Sequence, residues 1–181
     1  LYFIKIINKR GKKYALYKGK LYGKNGVFNV ENTIKLPNGC YLHEGYSDGG
    51  LVCGERLNAE VDPNLRKATE RNHTATHLLH HALREVLGDH VHQAGSLVAP
   101  NYLRFDFSHS KALTAGELEK IEYMVNKMIL SGYPVEASEN SIDVAREKGF
   151  IALFGEKYGD KVRCLNIGGV SKELCGGTHV K

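Results

Sequence analysis

The chain has 181 residues, 42% of them hydrophobic, enough to bury a core in one large domain or two small ones. It contains no run of about 18 apolar residues, so no helical membrane span is predicted. The net charge of +5 is uneven: residues 1–30 hold eight Lys/Arg and no Asp or Glu, leaving 17 positive and 20 negative side chains for the remainder. A basic opening module suits contact with a phosphate backbone. On charge alone, a solvated hairpin face whose lysines blunt a sheet edge is the better account. The N-terminus, LYFIKIINKRG, lacks the apolar core and small-residue cleavage site of a secretory signal and reads as the start of an excised fragment.

Residues 1–60 read as strands and turns. FIKII and KYALY are β-prone runs separated by NKRGK, GKNG precedes VFNV, and LPNG precedes CYLHEGY. A small antiparallel sheet or barrel-like module fits. The register changes at Asp62-Pro63, an N-cap followed by a proline tolerated at the first helical position. A helix is predicted from Leu65 to Leu87, with Ala75, Leu78, Leu79, Ala82, Leu83 and Val86 as its apolar stripe and Gly88 as its stop. VHQAGSLV follows, then LRFDF, whose strict alternation puts Leu103, Phe105 and Phe107 on one face of a half-buried strand.

Thr114-x-x-Glu117 is a capping box that opens a second helix, with Leu118, Ile121, Met124, Val125 and Met128 as its buried side. YPVEA reads as a strand, SIDVAREKG as a short helix ending at Gly149, KVRCLNI as a strand, and KELCGGTHV as strand–turn–strand. The expected architecture is α+β: a small β-module over residues 1–61, then helices packed on one face of a mainly antiparallel sheet over residues 62–181.

NHTATHLLHH places His73 and His77 one helical turn apart, so both imidazoles project from one face and can reach one ion. Alone, this spacing is a weak signal. CGGTH strengthens it: Cys175 and His179 offer a thiolate and a further imidazole, and the intervening glycines let the backbone turn so that both converge. Three histidines and a cysteine make a tetrahedral zinc set. A Cys/His nucleophile–base pair ranks lower because it leaves the helical histidines unexplained, and a mere glycine turn ranks lower still. Thr74 follows His73, so the carboxylate of a HExxH protease is missing. His80 shares the ligand face and could support the site. With His81, His90, His92 and His109, it is read instead as a polar surface or RNA-facing group. Asp106 is read as a surface charge. The four cysteines, at 40, 53, 164 and 175, form no CxxC pair and are expected to be reduced.

RNHTATHLLHHALREVLGDHVHQAGSLVAPNYLRFDFSH, ALFGEKYGD and ELCGGTHV, in that order, closely resemble the editing domain of alanyl-tRNA synthetase over residues 60–181. The threonyl-tRNA synthetase editing domain and free-standing alanyl editing factors are relatives of it. The resemblance implies that His73, His77, Cys175 and His179 bind Zn2+ and that Gln93 lines the amino-acid pocket. It implies a cytoplasmic hydrolase acting on the acceptor end of tRNA(Ala) mischarged with serine or glycine, alongside the other domains of a full synthetase. Thr76 joins Gln93 as a candidate reader of the serine hydroxyl, on its place inside HTATH alone. One departure stands out: YALYKGKLYGKNGVFNV lacks the glycine-rich FYxExGGQ-like segment usual in the family's β-module. The alternatives are a non-enzymatic, zinc-stabilised tRNA-binding module and an editing enzyme for seryl-tRNA(Thr).

Overall fold

The computed structural model describes residues 18–152 and 158–181. The predicted strands FIKII and KYALY, the turn between them and the middle of ALFGEKYGD lie outside the described residues. The chain divides into two compact units, residues 1–68 and 69–181.

In the first unit, β1 (Gly19–Tyr22), β2 (Asn25–Lys35), β3 (Tyr41–Gly50) and β4 (Asn58–Val61) form one antiparallel sheet in the order β3-β2-β1-β4. The LPNG turn between β2 and β3 closes as expected: the Gly39 amide donates to the Leu36 carbonyl at 2.9 Å, with Gly39 at φ 82°. Leu21, Val30 and Leu42 are its buried apolar side chains. Among the described residues β3 and β4 are the outer strands and do not pair, so the sheet is open there and no barrel closure is seen.

Helix α1 (Pro63–Leu87) starts where Asp62 accepts from the amides of Asn64 and Leu65, at 2.9 and 3.0 Å. It ends where the Gly88 amide reaches the Arg84 carbonyl with φ 111°. Hairpin β5 (Gln93–Val98) and β6 (Leu103–Phe107) follow, then α2 (Ala115–Leu130), β7 (Val135–Ser141), α3 (Ile142–Glu147), β8 (Lys161–Ile167) and β9 (Ser171–Leu174). The Thr114–Glu117 capping box is present in full. Strands β7, β8 and β9 form an antiparallel sheet with β8 in the centre.

Cross-strand partners point to the same side of a sheet, and the β8–β9 register sorts this one into two faces. Leu165 opposite Glu173 and Ile167 opposite Ser171 turn one way; Cys164 opposite Leu174 turns the other. Leu165 and Ile167 join Leu78, Ala82 and Leu83 of α1 and Ile121 and Met128 of α2 in the main core. Cys164, Val162 and Leu174 pack with Ala145 of α3 in a second, smaller core. The expected one-sided sheet is therefore covered on both faces.

Two further expectations are corrected. Leu118, in the first turn of α2, is 54% exposed, and the buried side of that helix begins at Ile121. KELCGGTHV yields one strand, not two: after Leu174 the chain is irregular. Beyond one bond from the Cys175 amide to β8, its backbone groups are bound by side chains, as described below. No helix among the described residues is long and apolar enough to cross a membrane.

Candidate metal centre

Half of the site stands on α1. His73 is half-buried and His77 is buried, one turn apart, with ring centroids 5.4 Å from each other. The helical repeat alone sets this pair.

The other half lies on the irregular chain after β9. The Cys175 amide donates to the Arg163 carbonyl at 3.0 Å, continuing the β9 edge for one more bond. The Arg163 guanidinium then donates through Nη1 to the carbonyls of Cys175 and Gly177, at 3.0 and 2.6 Å, and clamps the CGG turn. Gly177 is needed for space: a Cβ there would fall 2.1 Å from His73 Cε1 and 2.7 Å from Nδ1. Neither Gly176 nor Gly177 adopts a positive φ. The glycines expected to let the backbone turn do so without left-handed geometry, and Gly177 serves the close approach of backbone to imidazole.

Each ligand histidine has its Nδ1 tied to a different partner. His73 Nδ1 lies 3.0 Å from the Thr178 carbonyl, and His77 Nδ1 lies 2.8 Å from Glu173 Oε2. Both partners only accept, so each Nδ1 carries the hydrogen. Thr74 gives its own hydrogen to the Glu70 carbonyl at 2.9 Å. Its lone pairs are left for the Val180 amide at 3.2 Å and for His179 Nδ1 at 3.4 Å. The three Nε2 atoms are thereby left facing Cys175 Sγ and one another, where a cation can take the place of any hydrogen they carry.

The donor set fits a metal ion. His73, His77, Cys175 and His179 place one ligand atom each within 4.8 Å of one another. Donors about 2.0–2.3 Å from a common centre lie about 3.4–3.6 Å apart along tetrahedral edges. Cys175 Sγ lies 3.5 Å from His73 Nε2 and 3.3 Å from His179 Nε2. His77 Nε2 is fully buried with no hydrogen-bond partner among the described residues, as a metal-ligating atom would be.

The electrostatics agree. Burial opposes ionisation of Cys175, but the hydrogen bonds from His179 and His73 and the nearness of His77 outweigh it and pull the thiol down to about 3. Burial also opposes charge on His77, yet the Cys175 thiolate and the Glu173 carboxylate raise it to about 9. Burial pushes Glu173 up, and the hydrogen bonds from His77 and His80 bring it down to about 2. His179 is lowered, chiefly by burial. A half-buried thiolate and a buried carboxylate facing a group of imidazoles form a site that favours positive charge.

The remaining sequence candidates stand elsewhere. Gln93, half-buried at the start of β5, has its Nε2 3.4 Å from Ser96 Oγ. Thr76 is buried on α1 and donates its hydroxyl to the Asn72 carbonyl at 2.8 Å, so only its lone pairs remain for another group. Asp106 pairs with Arg104 Nε at the surface. His90 and His92 are exposed, with His90 Nε2 2.9 Å from His109 Nδ1. His80 is not the surface group expected: it is 3% exposed and bonds Glu173 through Nδ1 at 3.1 Å. Thr74, Arg163 and Glu173 escaped the sequence reading. The period-two placement of Ser171, Glu173 and Cys175 on one face of an extended chain was the one signal for Glu173. The four cysteines form no disulfide.

Fold and site together define an α+β protein bearing a cluster of three histidines and one cysteine that could hold a metal ion. No family model matches the chain. It is 50% identical over 163 residues, 90% of its length, to the alanine–tRNA ligase of Fervidobacterium nodosum. It is 58% identical over 164 residues to that of Thermotoga sp. strain RQ2, and 50% identical over 165 residues to that of Bacillus subtilis. In each case the match covers 19% of the relative, so the chain spans about a fifth of the relatives' length. The chain is homologous to one segment of the alanine–tRNA ligases.

Proposed function

We propose that this chain is the editing segment of an alanine–tRNA ligase, hydrolysing tRNA(Ala) mischarged with serine or glycine at a Zn2+ ion held by His73, His77, Cys175 and His179. The observation that carries the reading is the convergence of those four donors in a chain homologous to a fifth of such ligases. Water cleaves the acyl–oxygen bond, releasing the amino acid and restoring the hydroxyl of the terminal ribose. When bound, zinc supplies Lewis acidity for a carbonyl or a water molecule.

The need for such a reaction follows from recognition chemistry. An apolar pocket rejects an analogue that adds one hydroxyl by only about 10²-fold, and serine is alanine plus a hydroxyl. A second site that hydrogen-bonds the hydroxyl rejects the substrate lacking it by about 10⁴–10⁵-fold. Gln93 and Thr76 are the proposed readers of that hydroxyl. Gln93 can donate or accept. Thr76, its hydrogen already given to Asn72, can only accept. The protein works in the cytoplasm, alongside the remaining domains of the synthetase, on the acceptor end of tRNA(Ala).

One observation favours a second reading. Four protein donors close a tetrahedral shell, and closed shells are ordinarily structural. On that reading the chain is a zinc-stabilised tRNA-binding module. Deacylation assays on Ser-tRNA(Ala), Gly-tRNA(Ala), Ala-tRNA(Ala) and Ser-tRNA(Thr), with zinc content measured in parallel, separate the alternatives. Turnover of the first two substrates is expected. Zinc-loaded protein that binds tRNA but hydrolyses none would establish the second reading, and turnover of Ser-tRNA(Thr) alone would reassign the substrate. Unchanged serine-over-alanine selectivity in both Gln93→Ala and Thr76→Ala would remove these residues from the pocket.

A further inference from the structure

Behind the four ligands lies a carboxylate shared by two histidines. Glu173 is 3% exposed. Its Oε2 takes a hydrogen bond from His77 Nδ1 at 2.8 Å. Its Oε1 takes one from His80 Nδ1 at 3.1 Å and another from Ser171 Oγ at 3.1 Å. A carboxylate only accepts, so all three neighbours donate. No lysine or arginine reaches it: its ion-pair partners among the described residues are those two histidines. Glu173 is not one of the four convergent donors.

Burying a carboxylate without a compensating positive charge is costly. With the imidazoles neutral, a divalent cation and the Cys175 thiolate leave one positive charge in the interior. One further carboxylate brings the sum to zero. Glu173 supplies that charge at the position where it also fixes which nitrogen of His77 faces the ligand cluster.

The carboxylate is held from both sides. Strand β9 pairs with β8 along one edge. On the other, Ile151 donates its amide to the Lys172 carbonyl at 2.9 Å and accepts from the Leu174 amide at 2.9 Å. His80, one turn beyond His77 on α1, fills the space between Glu173 and Phe105, its ring centroid 5.3 Å from the phenyl ring. Among the described residues its buried Nε2 has no hydrogen-bond partner, and its polar contact is the one with Glu173. Its place is therefore explained by the carboxylate and not by the ligand set.

We infer that Glu173, fixed by His80 and Ser171, is a positioning residue of the metal centre that orients His77 and neutralises the bound divalent ion. This rests on the metal reading above.

The test uses zinc affinity, by competition with a chromogenic chelator, and the visible absorption of the Co2+-substituted protein. Glu173→Gln keeps the shape and removes the charge; it should weaken zinc by about 10–100-fold and shift the cobalt bands. His80→Leu should act in the same direction but less. His80→Asn, whose amide can still donate toward Oε1, should restore the wild-type values. Wild-type affinity and spectrum in Glu173→Gln would overturn the inference while leaving the metal reading intact. So would a His80→Asn protein no better than His80→Leu. A wild-type protein that takes up neither zinc nor cobalt would overturn both.

Discussion

The two halves of the candidate metal centre are built by different means. His73 and His77 ride on α1, where the helical repeat sets their spacing and the main-chain ladder holds it. Cys175 and His179 sit on chain with no regular structure. Their positions depend on the Arg163 clamp, the Thr74 hydroxyl, the Thr178 carbonyl and a glycine too close to His73 to be anything larger. The helix half would keep its shape alone. The loop half is held by contacts made to α1 and β8 and, on the metal reading proposed above, by a shared ion.

Removing the metal should expose that difference most strongly. On chelation, hydrogen exchange at the amides of residues 175–180 should rise sharply, while the amides of residues 73–83 in α1 stay protected and the domain remains folded. Equal loosening of both would abolish the distinction, and global unfolding would make the ion a scaffold first. Next comes Gly177→Ala. Its added methyl must displace the His73 ring or the loop, so metal affinity should fall by about 10–100-fold, read by chelator competition. Arg163→Met keeps the aliphatic stem and deletes both carbonyl contacts. It should destabilise the fold by roughly 2 kcal/mol in denaturant titration and weaken metal binding as well. Smallest is Thr114→Ala, which removes the α2 capping box at a cost of about 1 kcal/mol and should leave metal affinity unchanged. A change in affinity there would mean that the centre responds to general stability and not to its own tethers.

The same contrast marks what the sequence made legible. His73 and His77 are readable because a period of 3.6 residues places i and i+4 on one face, and both helix starts are readable from Asp62-Pro63 and Thr114-x-x-Glu117. Cys175 and His179 are readable as a motif but not as a shape. KELCGGTHV reads as strand–turn–strand because nothing local says that its carbonyls will be taken by an arginine 12 and 14 residues upstream. His80 reads as a surface group for the same reason. Its partner, Glu173, lies 93 residues away, and the period-two placement of Glu173 with Ser171 and Cys175 does not say which side chain meets it. Contacts set by local period were predictable, and those set by side chains meeting across the fold were not.

The central claim is that one ion joins the helix pair to the loop pair. X-ray absorption at the zinc edge, on protein loaded to a measured stoichiometry, tests it most directly. One zinc per chain is expected, with three nitrogen neighbours at about 2.0–2.1 Å and one sulfur at about 2.3 Å, the sulfur lost in Cys175→Ala. A shell without sulfur, or a wild-type chain that retains no zinc, would contradict the account.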